Sequence, residues 1–246
     1  MEKSKFVFLT PAYNCEEEIS NTLFSFFAQS YSNWRAIIID DVSTDRTGDY
    51  ATELAIKCGF GGKVTLLRRE EKFGEVRNTI DCMDMIDDDE IVCRVDGGDW
   101  LTENDCLYML NNIYANYEPS VLWTGHRWAY TDHNISGELN LSKGQTVYQH
   151  KWVSSHMKTF RASKLKRVPK ENFTDKDGNW IMIACDQAVF LPMMHMAHQA
   201  NERLLFFPRV CYHYNINLND PDLFSSERSL DQKASGEWIR KRGFVS

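Results

Sequence analysis

Ala36-Ile37-Ile38-Ile39-Asp40-Asp41 is the stretch on which the fold turns. Its four apolar residues are consecutive rather than alternating. A strand with one wet face would alternate; an unbroken run fits a strand covered on both faces, as in a parallel sheet. Two aspartates close the run, so its carboxyl end is polar. The same unit recurs on either side. Upstream, Lys5–Thr10 is a β-rich run ended by Pro11. Glu16–Ser30 follows, with Ile19, Leu23, Phe26 and Phe27 on one helical face. Asn14 reads as the N-cap of that helix, with Glu17 three residues on. Downstream, Thr44–Cys58 reads as a helix closed by Gly59, Lys63–Leu67 as a strand and Glu75–Met85 as a helix. Glu90–Val95 is a strand ending at Asp96, Thr102–Tyr117 a helix, and Ser120–Thr124 opens a further strand. Repeated strand–helix–strand units predict an α/β, Rossmann-type, doubly wound sheet. Such sheets bind ligands at the carboxyl ends of their strands. Three polar clusters stand there: Pro11-Ala12-Tyr13-Asn14, Asp40-Asp41-Val42-Ser43 and Asp96-Gly97-Gly98-Asp99.

Beyond residue 130 the periodicity weakens. Asp132–Gly144 is polar and reads as a hairpin or loop. Lys151–Lys170 carries seven Lys/Arg and no Asp/Glu. Ala184–Ala197 reads as a helix with Asp186 near its start, and Arg203–Tyr214 as two short strand-like runs around Pro208. Asn215–Ser226 is loop-like, and Leu230–Lys241 reads as a closing helix. With no repeat and no linker, one domain over residues 1–246 is expected.

Composition sets the outer bounds. Of 246 residues, 43% are hydrophobic and 26% charged, so a large core is available without a disulfide or metal staple. The net charge of −7 disfavours non-specific binding of nucleic acid or membrane surface by the whole molecule. No window approaches the roughly 18 apolar residues of a membrane span. The apolar stretch at the N-terminus is too short for a signal peptide. The seven cysteines are odd in number and lack C-x-x-C spacing. They read as reduced core thiols of a cytoplasmic protein, with no paired Cys/His spacing for zinc.

Asp81–Asp105 holds ten acidic residues and one basic residue. Asp87-Asp88-Asp89-Glu90 reads as a solvated helix end. Asp96 and Asp99 do not, because they follow the buried-strand pattern Ile91-Val92-Cys93-Arg94-Val95, with Gly97-Gly98 allowing a tight turn between them. Two carboxylates at a sheet edge repel unless a cation sits between them, and hard oxygen donors suit Mg²⁺ or Mn²⁺.

These motifs, in this order, resemble family 2 glycosyltransferases of the GT-A fold. The family opening matches Thr10–Tyr31, and its strand ending in Asp-Asp-x-Ser-x-Asp matches Asp40–Asp45. Its Arg-Asn dipeptide matches Arg77-Asn78, and its Asp-x-Asp-Asp-Trp segment matches Asp96–Trp100. Lys158–Arg161, Asp186-Gln187-Ala188 and Tyr212–Asn215 also resemble family members. The resemblance covers most of residues 5–217. One position departs: Gly98 stands where the family usually has a carboxylate that often meets the metal.

The resemblance implies a GT-A-like mixed sheet. Residues 1–130 would form the nucleotide-sugar-binding half and 131–217 the acceptor-binding and catalytic half, with 218–246 a tail helix. It implies a nucleotide-diphosphate sugar donor, most often a uridine diphosphate sugar, with Pro11, Tyr13 and Asp41 around the base. Asp41 would accept from a uracil imide N–H, against the plainer reading of Asp40 and Asp41 as turn and cap residues. Arg77 would approach the base or diphosphate, or else form a surface ion pair. Asp96 would meet ribose or the metal, Asp99 the metal, and His213 either the metal shell or a structural role. Asp186 would be the general base of an inverting transfer, against the plainer reading of a carboxylate at a helix N-terminus. The basic run either lies on a solvated surface or brings His156, Lys158 and Arg161 toward the diphosphate. The acceptor hydroxyl would sit on a glycan, lipid, protein or modified nucleic-acid base; Trp152 and Phe160 leave nucleic acid open only in that role. The alternative from another class is a nucleotide-sugar-binding protein without transferase activity. A sugar-phosphate nucleotidyltransferase would need a Gly-rich phosphate loop after the first strand, which Pro11–Glu18 lacks.

Overall fold

The computed structural model describes residues 3–129, 131–215 and 226–246. The loop expected over Asn215–Ser226 lies, apart from its two end residues, outside the described residues. Eight strands form one mixed sheet: β1 (Phe6–Ala12), β2 (Trp34–Asp40), β3 (Val64–Arg68), β4 (Ile91–Arg94), β5 (Trp100–Leu101), β6 (Val121–Trp128), β7 (Lys158–Arg161) and β8 (Leu204–Tyr214). Their spatial order is β3-β2-β1-β4-β7-β6-β8-β5. The first four are mutually parallel. Strand β7 runs antiparallel between β4 and β6, β8 is parallel to β6, and β5 is antiparallel to β8.

The apolar runs are buried on both faces, as their pattern requires. Val7, Leu9, Ile37, Ile39, Val92 and Trp123 pack on one side, beneath α3 (Gly74–Asp81) and α6 (Cys185–Gln199). Phe6, Phe8, Ile38, Ile91, Cys93 and Leu122 pack on the other, beneath α1 (Ile19–Phe27), α2 (Thr47–Lys57) and α4 (Cys106–Tyr117). Each fully buried side chain of this size contributes about 1.5–3 kcal/mol. A short α5 (Ala162–Lys166) follows β7, and α7 (Ser226–Arg242) packs against α6.

Register aligns the carboxyl ends. Strand β1 pairs with β2 from Phe6↔Trp34 to Ala12↔Asp40. Gly97 N–H donates to Pro11 O at 2.9 Å and Asp41 N–H to Ala12 O at 3.0 Å, so the loops after β1, β2 and β4 meet along one edge. Gly97 allows this approach: a Cβ there would lie 2.9 Å from Ala12 Cβ. Gly98 has φ of +99°, a conformation that disfavours an aspartate at that position.

Several local expectations change. Asn14 does not cap α1; it sits at φ +46° and its Oδ1 accepts from Thr44 N–H at 2.8 Å, tying the first loop to the second. Arg203–Tyr214 contains one strand, not two. The register against β6 slips from Thr124↔Phe207 to Gly125↔Val210 and His126↔Tyr212, and this bulge accommodates Pro208, which has no N–H to donate. Within the basic run, Lys158–Arg161 forms β7. Asp132–Gly144 carries no regular element. All seven cysteines are free and five are buried, but Cys58 is exposed. No helix among the described residues is long and apolar enough to cross a membrane.

Candidate active site

The parallel edge carries a compact set of charges. Arg94, the last residue of β4, faces α3 and α6 with its side chain 3% exposed. A charge so buried requires partners. Its Nη2 reaches Glu75 of α3 at 2.6 Å and Asp96 at 3.0 Å, and its Nη1 donates to Thr79 Oγ1 at 2.9 Å. Because β7 is antiparallel, Lys158 stands opposite Arg94 at the same edge. Its side chain is 1% exposed, and its ammonium lies 2.5 Å from Asp186 Oδ1 at the head of α6. The carboxylates of Asp96 and Asp186 keep 33% and 28% exposure. The acids therefore line a reachable cleft with the two cations beneath them.

Asp99 is held from both sides: Tyr212 donates its hydroxyl to Oδ2 at 2.6 Å, and Asn215 N–H donates to Oδ1 at 2.8 Å. The Tyr212 oxygen also accepts from Asp96 N–H at 3.1 Å, so one tyrosine joins both acidic residues of the loop. Burial pushes the Asp99 carboxyl well up, and the neighbouring Asp96 adds to this. Burial likewise raises Asp96 against the pull of Arg94. Glu75 is pushed up to about 7 by burial, with Arg94 opposing and Asp96 and Asp186 assisting. Burial would also raise Asp186, but the Lys158 ammonium, with Arg94, outweighs it and holds the carboxyl at about 2. Glu75, Asp96, Asp99 and Asp186 outnumber the cations Arg94 and Lys158. Crowded carboxylates of this kind are hard oxygen donors, the type that divalent cations take.

The remaining expected residues divide. Pro11 lies at the edge, and Tyr13 is exposed beneath the Lys72 ammonium, 3.0 Å from the ring centroid. Asp41 is buried, and its two oxygens accept from Phe73 N–H at 2.9 Å and Gly74 N–H at 3.0 Å. It thus caps α3, the helix that carries Glu75. Arg77 lies over the Phe73 ring at 3.3 Å, beside that cap. His156 joins the cluster, stacked on Tyr212 with ring centroids 4.7 Å apart and its Nε2 3.8 Å from Asp186 Oδ2. Burial, reinforced by Lys158, keeps the His156 imidazole neutral, so it brings no positive charge to a diphosphate.

Two residues fall elsewhere. Arg161 pairs with Ile91, at the start of β4, and donates to Asp89 O at 3.1 Å. The reversed direction of β7 carries it to the opposite end of the sheet from Asp96, away from any diphosphate there. His213 follows Tyr212 on β8, so its ring lies on the other face of the strand. It stacks on Trp100 with centroids 4.0 Å apart and does not join Asp96 and Asp99. Among the described residues, no group of three His, Cys, Asp or Glu side chains is placed to hold a metal. Asp96 and Asp99 still fit a divalent ion, which commonly takes one or two protein carboxylates and completes its shell with substrate phosphates.

Glu75 and Arg94 entered the site without a role assigned from sequence, while Tyr212 and Lys158 stood in segments that resemble the family, with no part assigned to Tyr212. Arg94 carried a signal: a lone charge inside an apolar strand pattern implies buried partners. Trp123 and His126, on β6, are fully buried. Met193 and Met194 of α6 pack in the core.

The open mixed sheet with its acidic carboxyl edge has the architecture of GT-A glycosyltransferase structures. The model of glycosyl transferase family 2 matches residues 7–182, and the chain belongs to that family. Among solved structures, S. aureus TarS 1-349 in complex with UDP-GlcNAc superposes with a TM-score of 0.66 at 15% identity, covering 96% of this chain and 65% of that one. The mannosyltransferase PcManGT from Pyrobaculum calidifontis, in complex with GDP-Man and Mn²⁺, gives 0.65 at 14% identity, covering 100% and 66%. Two Bacillus subtilis (strain 168) proteins are similar over shorter stretches. "Putative teichuronic acid biosynthesis glycosyltransferase TuaG" is 46% identical over 41 residues, and "Putative glycosyltransferase EpsE" is 31% identical over 87. Those stretches span 16% and 30% of the two proteins.

Proposed function

We propose that this chain is an inverting glycosyltransferase that moves one sugar from a nucleoside diphosphate donor to an acceptor hydroxyl. The observation that carries the reading is Asp186, a partly exposed carboxylate at a helix head in the same cluster as Asp96 and Asp99. As the acceptor oxygen attacks the anomeric carbon, Asp186 takes its proton, and the bond from that carbon to the diphosphate oxygen breaks on the opposite side. Arg94 and Lys158 supply positive potential beneath the cleft as the leaving group gains charge. Asp99 and Asp96 would hold Mn²⁺ or Mg²⁺, which when bound neutralises diphosphate charge. The Mn²⁺ beside GDP-Man in PcManGT supports this assignment. Pro11, Tyr13, Asp41 and Arg77 form the base end, and the UDP-GlcNAc in the TarS complex favours a uridine diphosphate sugar. The name of TuaG favours a glycan acceptor. Seven free thiols favour a reducing compartment such as the cytoplasm.

Gly98 keeps a second reading in view, a nucleotide-sugar-binding protein without turnover. Thermal-shift titration of UDP- and GDP-sugars with and without Mn²⁺, followed by donor hydrolysis assays, separates the two. A transferase raises its melting temperature with one donor and hydrolyses it slowly without acceptor. Donor binding without hydrolysis or transfer supports the second reading, and no response to any donor overturns both.

A further inference from the structure

Tyr212, on β8, is fully buried beside the acidic loop. Its hydroxyl stands between the first and last residues of the turn Asp96-Gly97-Gly98-Asp99. It accepts from Asp96 N–H at 3.1 Å and donates to Asp99 Oδ2 at 2.6 Å. A buried tyrosine ordinarily finds some partner for its hydroxyl, so a single bond would say little. Here both bonds go to the one turn that carries the two candidate cation ligands.

That turn needs restraint. Gly97 and Gly98 have wide backbone freedom, and two carboxylates in one turn repel each other. Its backbone is tied by Gly97 N–H to Pro11 O at 2.9 Å and by Gly98 N–H to Thr22 Oγ1 at 2.9 Å. Neither bond reaches a carboxylate. The direction of the Asp99 oxygens is set instead by Tyr212 at Oδ2 and by Asn215 N–H, 2.8 Å from Oδ1. A carboxylate oxygen has two lone pairs, so each oxygen keeps one for a cation. Small divalent ions demand near-ideal ligand geometry, and the hydrogen-bond partners of ligating carboxylates tune the affinity. With glycine at position 98 the turn offers two acids, which makes their placement count for more. The Tyr212 ring also stacks on His156 at 4.7 Å, and His156 Nε2 lies 3.8 Å from Asp186 Oδ2. One side chain therefore joins the cation end of the cleft to the base.

We propose that Tyr212, assisted by the Asn215 N–H, is a positioning residue of the cleft, setting Asp96 and Asp99 in the geometry a divalent cation takes. It touches neither the cation nor the donor. The proposal rests on the assignment of Asp96 and Asp99 to the cation made above.

Mn²⁺ titration of the full chain, followed by loss of the free-ion electron paramagnetic resonance signal with and without UDP, tests it. The proteins compared are the wild type, Tyr212→Phe and Asn215→Pro. Phenylalanine keeps the ring and its stack on His156 and removes only the hydroxyl. Proline removes the other donor to Asp99 from a site outside the core, and it decides the matter should Tyr212→Phe not fold. The expected result is Mn²⁺ affinity lower by about 10–100-fold in each variant. A purely structural tyrosine would lower the denaturant midpoint and leave the Mn²⁺ affinity of the folded chain as it was. Unchanged or tighter Mn²⁺ binding in folded Tyr212→Phe, or in Asn215→Pro where the first does not fold, overturns the proposal. A wild type that takes up no Mn²⁺ under either condition overturns it as well. The transferase reading fails by a different result, the absence of donor hydrolysis and transfer by the wild type.

Discussion

Lys158 and Asp186 pose the sharpest question at the scale of single residues, because an ion pair strong enough to keep a carboxylate at about 2 also makes it a weak base. A bound diphosphate would share the Lys158 charge and return basicity to Asp186. Two outcomes follow. Asp186→Asn lowers kcat by about 10²–10⁴-fold while donor affinity from calorimetry stays within a few fold. Lys158→Met moves the acid limb of the kcat profile to higher pH, since the removed cation favoured the ionised carboxylate. For the metal, Asp99→Ala abolishes the Mn²⁺ dependence of donor affinity in calorimetry; an unchanged response reassigns the ligand. Asp96, Asp99 and Asp186 were legible in sequence because each closely follows an apolar run at a strand or helix boundary, whereas Glu75 was not. Nor were the cations. Nothing local in Lys158–Arg161 reveals that the strand runs backwards, and that direction alone decides that Lys158 reaches the cleft while Arg161 leaves it.

At the scale of elements, Asp41 shows how a motif residue also shapes the scaffold. Its carboxylate receives two backbone N–H groups at the start of α3, the helix that supplies Glu75 to Arg94. Asp41→Ala leaves both donors unpaired and costs about 1–2 kcal/mol, read as a lower denaturant midpoint in equilibrium unfolding. Asp41→Asn, which can still accept one of the two bonds, recovers part of that loss. Helices and parallel strands were visible from periodicity because their signals are short-range. The cap was not, because Asp41 and Gly74 are 33 residues apart. Pro208 misled for a related reason: a proline reads as a break until a partner strand supplies the bulge that accommodates it.

Across the whole molecule, acid sensitivity follows from His126. Its ring is fully buried, with Nδ1 at 3.0 Å from Ser136 Oγ and no partner at Nε2 among the described residues. Burial, with Lys158 and His133, pushes its pKa down to about 4 from an ordinary 6.5. The unfolded chain therefore binds the proton first. The stabilisation is complete above pH 6.5 and is lost as pH falls toward 4, amounting to about 2–3 kcal/mol at pH 4.5. Urea unfolding at pH 7 and pH 4.5 measures the drop, and His126→Gln reduces it by about that amount. Sheet class and edge chemistry were readable because a doubly covered parallel core leaves unbroken apolar runs. The strand order was not, because it depends on pairings between distant segments.

That order has one more consequence. Strand β7 is wedged between β4 and β6, so the later part of the chain fills a gap within the earlier part. A fragment cut after residue 130 would keep β4 and β6 but lose β7, which joins them, and β8, the other partner of β6, leaving raw edges open to self-association. The two halves distinguished by sequence are thus partners in one interleaved fold, and neither is expected to behave as a soluble module when expressed alone.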